Sequence, residues 1–511
     1  MLNRTTLTLI AAILCAAAMV ATAAPLADTL GQAIVVQDQS SLRAAPRDSA
    51  QQQTVLWQGE VLEVRGERLD YLQVWDHKRE RGGFIRASDV RRVALTESES
   101  PALLSVLRFV RDTPGAEALG IGLTAAYLQA APAAALAGEP GAQALDALGT
   151  LADRLARRAS AAAPGASLGK ASAAALSAHL DVANGYGVRF TTYELDGRMQ
   201  VCYDGEAFRR VLALPAASAE QRARAALALT RPECTDPDLP AHERARLQQW
   251  QAELLDRVEV AGLPSYLRNR VQMRRAGLWG GVAFQQARKA DGATAAAGAA
   301  SRALAEFAGV SRNDLTDEDQ PAYNDAAMRV SAVRWALVPA AAAAPDGKRP
   351  SVVLQPGAPG ETCVLLVDAR HGPQEPLARR CTYGVVWTAS ASLNREGNAL
   401  ALAVQPLEGW RELWVMRKTA GAEWVVDVLP PTAATPETGY AEWAGWVPGG
   451  QRMLVAREAR ETGGSGRWRK SFEVVRLDGL ATERVTGDVA ALPVFQRWQD
   501  PAWKRQTLSL R

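Results

Sequence analysis

A chain of 511 residues has room for about three domains at the usual size of roughly 150 residues each. Hydrophobic residues make up 48% and charged residues 22%, an ordinary globular balance that excludes wholesale disorder. A formal net charge of only +3 leaves no electrostatic footprint for nucleic acid, so none is expected as a partner.

Residues 1–23 read as an export signal. Arg4 supplies the charged start, residues 7–20 the apolar stretch, and Ala21-Thr22-Ala23 the small-x-small cleavage pattern. The apolar run falls short of the ~20 residues a membrane span needs. No later stretch reaches that length without charges. Leu14 precedes Cys15 where lipidation wants a small residue. The expectation is a periplasmic or secreted protein with no transmembrane segment in its mature chain. That chain keeps Cys202, Cys234, Cys363 and Cys381, an even set in an oxidising compartment. Four cysteines allow three connectivities, and regional proximity favours Cys202–Cys234 and Cys363–Cys381. A zinc site needs close pairs such as C-x-x-C, which the sequence lacks, so no metal and no cofactor are expected.

Between residues 33 and 93 short alternating runs are separated by turn residues. Val55-Leu56-Trp57, Val61-Leu62-Glu63-Val64, Tyr71-Leu72-Gln73-Val74-Trp75 and Gly83-Phe84-Ile85 are the clearest. Five or so short strands in some 60 residues predict a small β-barrel. Leu42-Arg43-Ala44-Ala45-Pro46, Gln58-Gly59-Glu60 with Val61, Leu62 and Val64, Asp70-Tyr71-Leu72-Gln73-Val74 and Gly82-Gly83-Phe84-Ile85 together resemble the bacterial SH3-like domain family. The resemblance implies an SH3-like barrel that binds cell-wall or protein ligands. Tyr71, Trp75 and Trp57 are the ligand-binding candidates. Each has two readings, an aromatic of the barrel core or part of an exposed groove.

Composition shifts after Pro101. Between residues 97 and 180, 26 of 84 residues are alanine and none is tryptophan. Leu103, Leu104, Leu107 and Val110 share one helical face, and Leu145, Leu148, Leu151 and Leu155 another, so residues 97–185 form an Ala-rich helical region. Gly165-Ala166-Ser167-Leu168-Gly169 satisfies the G-x-S-x-G pattern of hydrolases but lacks the preceding buried strand, and is read as linker. Residues 186–330 hold a β-hairpin, signalled by Asp196-Gly197 between alternating runs, and then more helices. Arg268, Arg270, Arg274 and Arg275 are read as a solvated helical face, with an anion or acidic-partner site as the minority reading. Asp314, Asp317, Glu318 and Asp319 lack calcium-loop spacing.

Ten of the 14 tryptophans fall from Trp335 onward, marking residues 331–511 as a separate β domain. Trp335, Trp387 and Trp446 each precede a turn and an apolar strand, and the turn glycines Gly347, Gly397 and Gly450 are about 50 residues apart. These units resemble the WD40-like repeats of periplasmic β-propellers, which implies propeller-like blades whose tryptophans are mostly packing residues. The chain is therefore expected to be multidomain α+β. Its expected role is an exported, non-catalytic binding or scaffold protein of the cell envelope, with no catalytic residue assigned. The alternative is a cell-wall hydrolase that uses the SH3-like segment for targeting.

Overall fold

The computed structural model describes residues 31–161, 170–195, 197–339, 349–433, 438–460 and 468–506. The export signal, Ser167 with its flanking glycines, Asp196 and Gly347 lie outside the described residues. The chain forms two compact units, Met1–Gln221 with Arg231–Pro237, and Arg222–Thr230 with Asp238–Arg511. The class is mixed α+β: an N-terminal antiparallel sheet, a helical middle and a C-terminal region of many strands.

In the first unit, β1 (Gln32–Val35), β2 (Ser40–Arg43), β3 (Gln52–Leu56), β4 (Val61–Arg68), β5 (Tyr71–Asp76), β6 (Arg81–Arg86) and β7 (Val90–Val93) form one sheet. Its order is β3-β2-β6-β5-β4-β1-β7. The strand count exceeds the expected five because β1 pairs with both β4 and β7, with Gln32 opposite Val93. Strand periodicity then sorts the side chains. Leu62, Val64, Leu72, Val74 and Ile85 turn to one face and close a core with Leu42 and Leu56.

Helices follow at α1 (Ser100–Arg111), α2 (Glu117–Ala130), α3 (Ala133–Ala137), α4 (Glu139–Ala161) and α5 (Lys170–Gly185). Pro101 sits in the first turn of α1, where its missing N–H costs no hydrogen bond. Leu103, Leu107, Leu151 and Leu155 bury as their spacing predicts, and Ile34 and Val93 of the sheet join the same core. Arg154 of α4 donates to the buried Glu117 carboxylate at 2.6 Å and to the carbonyls of Arg111 and Thr113 at 2.8 Å, satisfying the end of α1. The hairpin β8 (Phe190–Leu195) and β9 (Arg198–Tyr203) closes with Leu195 opposite Arg198, leaving a two-residue turn with Gly197 at φ +73°. Cys202 of β9 is bonded to Cys234. A short helix α6 (Glu206–Ala213) follows the hairpin.

In the second unit, after α7 (Ala219–Leu229) and α8 (Ala241–Asp256), the long α9 (Ser265–Ala287) packs against α8, α10 (Ala293–Ala308) and α11 (Gln320–Val333). The arginines of α9 correct the expectation of a solvated face. Arg275 is buried and donates to the carbonyls of Leu255 at 2.8 Å and Val258 at 2.5 Å, capping the end of α8. Arg270 pairs with Asp319 at 2.7 Å.

The β region begins with a three-stranded sheet of β10 (Ser351–Pro356), β11 (Thr362–Val367) and β12 (Ala378–Thr382), where Cys363 faces Cys381 in register and is bonded to it. Two antiparallel meanders follow. One runs through β13 (Val385–Leu393), β14 (Ala399–Leu407), β15 (Trp410–Lys418) and β16 (Trp424–Leu429). The other runs through β17 (Gly439–Val447), β18 (Arg452–Arg460), β19 (Trp468–Arg476) and β20 (Thr482–Thr486). Parallel pairing of β15 with β17 joins them in one eight-stranded sheet. Trp387 and Trp446 lie on equivalent strands and Gly397 and Gly450 in equivalent turns, whereas Trp335 falls on a 3₁₀ turn (Arg334–Leu337). The C-terminal helices α12 (Pro493–Trp498) and α13 (Pro501–Gln506) supply Phe495 and Trp503 to a core with Phe472.

A buried ionic knot ties these strands to α11. Arg411 of β15, 0% exposed, donates to the Ser331 carbonyl at 2.6 Å and pairs with Glu442 of β17. Arg334 reaches Glu442 at 2.6 Å, and the Trp503 indole N–H donates to it at 2.6 Å. Burial pulls Arg411 down to about 10, with Glu442 opposing, so it stays charged at neutral pH. Burial also pushes the Glu442 carboxyl up, but Arg334 and Arg411 outweigh it and hold it below its ordinary value.

Two outcomes follow for stability. Non-reducing peptide mapping should find Cys202–Cys234 and Cys363–Cys381 with no free thiol. Their sequence separations of 32 and 18 residues make each bridge worth about 3 to 4 kcal/mol by loop entropy, read as a fall in Tm on reduction. Glu442→Gln should cost about 3–5 kcal/mol at neutral pH, because it strands two buried guanidinium groups. The contribution of Glu442 is complete above the ordinary carboxylate range and is lost as pH falls through its depressed value. Denaturant midpoints of parent and variant should therefore converge on acidification.

Candidate functional site

The first unit contains a cavity of about 690 Å³ between the sheet and α5. One wall is the start of β4 with the β5–β6 turn, and the other is the last turn of α5 with Tyr186. Gly31 and Ala94, brought together by β1–β7 pairing, complete the rim.

Charges on the sheet wall are fixed by pairing. Glu60 and Asp76 are 8% and 2% exposed, and Arg79 binds both at 2.8 Å. The Asp76 carboxylate also accepts from the backbone N–H of Lys78 at 3.0 Å, which shapes the turn that carries Arg79. Hydrogen bonding by Glu60, and then by Asp76, holds the Arg79 guanidinium above its ordinary value. Glu63 takes Arg65 at 3.0 Å and His77 at 2.6 Å, and these hydrogen bonds, Arg65 first, hold its carboxyl low. On the helix wall the Tyr186 hydroxyl donates to the Gly59 carbonyl at 2.8 Å. Burial, and then the charge of Glu60, pushes that phenol up to about 12, so it remains neutral.

The docking of α2 and α5 on the sheet depends on Gly59. Its φ is +87°, and an added Cβ would stand 2.4 Å from the Ala118 carbonyl oxygen, a separation only glycine permits. Beside it, His179 of α5 donates from Nε2 to Asp38 at 2.8 Å, and Gln58 donates to Asp38 at 3.2 Å and to the Gly115 carbonyl at 2.9 Å.

None of the three aromatics singled out in the sequence lines the cavity. Trp57 is half-buried and meets the His179 ring edge-on, with centroids 6.5 Å apart. Tyr71 and Trp75 share one face of β5 as their spacing requires, and that face is opposite to the core residues Leu72 and Val74. Tyr71 is nevertheless 5% exposed, because Asp48 accepts its hydroxyl at 2.5 Å and Arg86 lies over its ring. Trp75 is half-buried under Arg65, whose guanidinium is 4.4 Å from the indole centroid. Gly82, opposite Trp75 in register, makes room for the ring. Sequence reasoning missed Arg79, Glu60, Asp76 and Tyr186, which are drawn from separate strands and a distant helix.

Glu361, Cys363 and Cys381 place three ligand-type atoms within 4.8 Å of one another, but both sulfurs are spent in the disulfide. No helix among the described residues is long and apolar enough to cross a membrane. Comparison of the chain with models of known families, with curated proteins and with solved structures returns no match.

The two faces of β5 should respond differently to truncation. Leu72→Ala should cost about 2–5 kcal/mol, as for a buried leucine. Trp75→Ala should shift the denaturation midpoint less, because the outer-face indole is only half-buried.

Proposed function

We propose that the protein is an exported, non-catalytic binding or scaffold protein of the cell envelope, and that its N-terminal segment, an SH3-like barrel, holds a cell-wall or protein ligand. The observation that carries this reading is the cavity of about 690 Å³, a size suited to a small molecule or a short peptide segment. The seven short antiparallel strands around one apolar core support the SH3-like assignment. Two four-stranded meanders with equivalent tryptophans and turn glycines support blade-like repeats in the C-terminal region. The two disulfides are compatible with an oxidising, extracytoplasmic compartment.

The polar lining favours binding over hydrolysis. Glu60 and Asp76 are the carboxylates best buried in the cavity wall, and both are already engaged by the one Arg79 guanidinium. General acid–base chemistry instead needs a carboxyl free to exchange a proton with a bound substrate.

The test is sedimentation of the protein lacking residues 1–23 with purified sacculi and, separately, with envelope extract, while soluble fragments are assayed in the same tubes. Retention without release of fragments is expected. Release of reducing ends or amines that rises with protein concentration would transfer the assignment to a hydrolase.

A further inference from the structure

We infer that the cavity between the sheet and α5 takes an ammonium group carried on a short apolar stem, such as a lysine side chain or another aliphatic amine, with Asp181 as its counter-charge. This deepens the binding reading and rests on it.

The charge count sets the sign. Glu60, Glu63, Asp76 and Asp181 line the cavity, against the permanent cations Lys78 and Arg79. Arg79 is occupied by Glu60 and Asp76, and Lys78 extends toward Glu60 at 4.0 Å. His77 and Arg65 are occupied by Glu63. Asp181 is exposed and has no ion pair among the described residues. It stands one turn before the end of α5, where the helix carbonyls add partial negative charge. An anion entering here would meet an excess of carboxylates and no free guanidinium. A cation meets Asp181 and the end of the helix.

The apolar part of the lining sets the rest of the ligand. Val61 is 41% exposed although it belongs to a sheet whose other apolar side chains are mostly buried, and it lines the cavity with Leu95 and Val182. The Tyr186 hydroxyl is tied to Gly59, so its ring is what remains to meet a ligand. An aliphatic stem covers Val61, and a neutral aromatic ring next to carboxylates favours an ammonium over a neutral end group.

The probe is acetyl-Ala-Lys-Ala-amide, compared with the same peptide acetylated on Nζ, titrated into the protein lacking residues 1–23 and followed by saturation-transfer NMR. The amine peptide should bind, weakening as salt rises, and the acetylated peptide should not. Asp181→Asn should weaken binding about two- to fivefold, the upper part of the range for an exposed ion pair. Val61→Lys, at an exposed position that tolerates the change, should abolish it by placing a cation in the cavity. Circular dichroism confirms that both variants are folded. Equal binding of the two peptides, or unchanged binding by Asp181→Asn, overturns the inference. Sacculi are run in parallel, untreated and amine-acetylated. Retention of both with no response to the amine peptide leaves the binding reading standing and the inference refuted. Binding of the amine peptide without retention on sacculi or envelope extract refutes the envelope reading and upholds the inference. Silence in every arm refutes both.

Discussion

Arg79 is the residue on which the first unit's cavity depends. Carboxylates as buried as Glu60 and Asp76 lose hydration, and burying the two side by side is costly without a cation between them. One guanidinium resolves this at 2.8 Å to each. Because Glu60 immediately precedes β4 and Asp76 ends β5, the same fork holds the β5–β6 turn against the start of β4 and braces that wall of the cavity. Having two partners of its own, Arg79 is not free to recruit an anion. The fixed charge that stabilises the wall therefore also decides the sign of what the wall can face.

The second unit uses the same device with the signs reversed. Glu442 stands between Arg411 and Arg334, and joins one strand of each meander to the end of α11. Parallel contact between β15 and β17 is short, limited to Trp410 opposite Gly439 and Arg411 opposite Tyr440. At that junction few backbone hydrogen bonds are available, and the buried ion pair supplies the specificity that an extended ladder provides elsewhere.

What could be read in the sequence was local. Alternation exposed Tyr71-Leu72-Gln73-Val74-Trp75 as a strand, and it correctly placed Tyr71 and Trp75 on one face. Alternation alone cannot say which face meets the core, and here the large aromatics lie outward under arginines while Leu72 and Val74 lie inward. The β8–β9 hairpin, the leucine stripes of α1 and α4 and the equivalence of Gly397 with Gly450 were visible for the same reason: each is encoded within a few residues. Arg275 misled because an amphipathic pattern records charge, not the neighbouring helix end that a guanidinium turns inward to cap. The cavity was invisible in the sequence for a stronger reason. Its walls come from positions near 60, 76 and 186, and no periodicity links them.

Gly59 has a consequence for how far this N-terminal segment behaves as an interchangeable part. Small β modules are commonly treated as beads that can be cut out and grafted at will. Here the backbone of the bead touches the backbone of α2, and its carbonyl receives the Tyr186 hydroxyl more than 120 residues later in the chain. A graft that ends near residue 95 carries the strands but leaves behind one whole wall of the cavity. The smallest transplantable piece is therefore the sheet together with its helices through Tyr186, and shuffling at any earlier boundary would move a fold without its pocket.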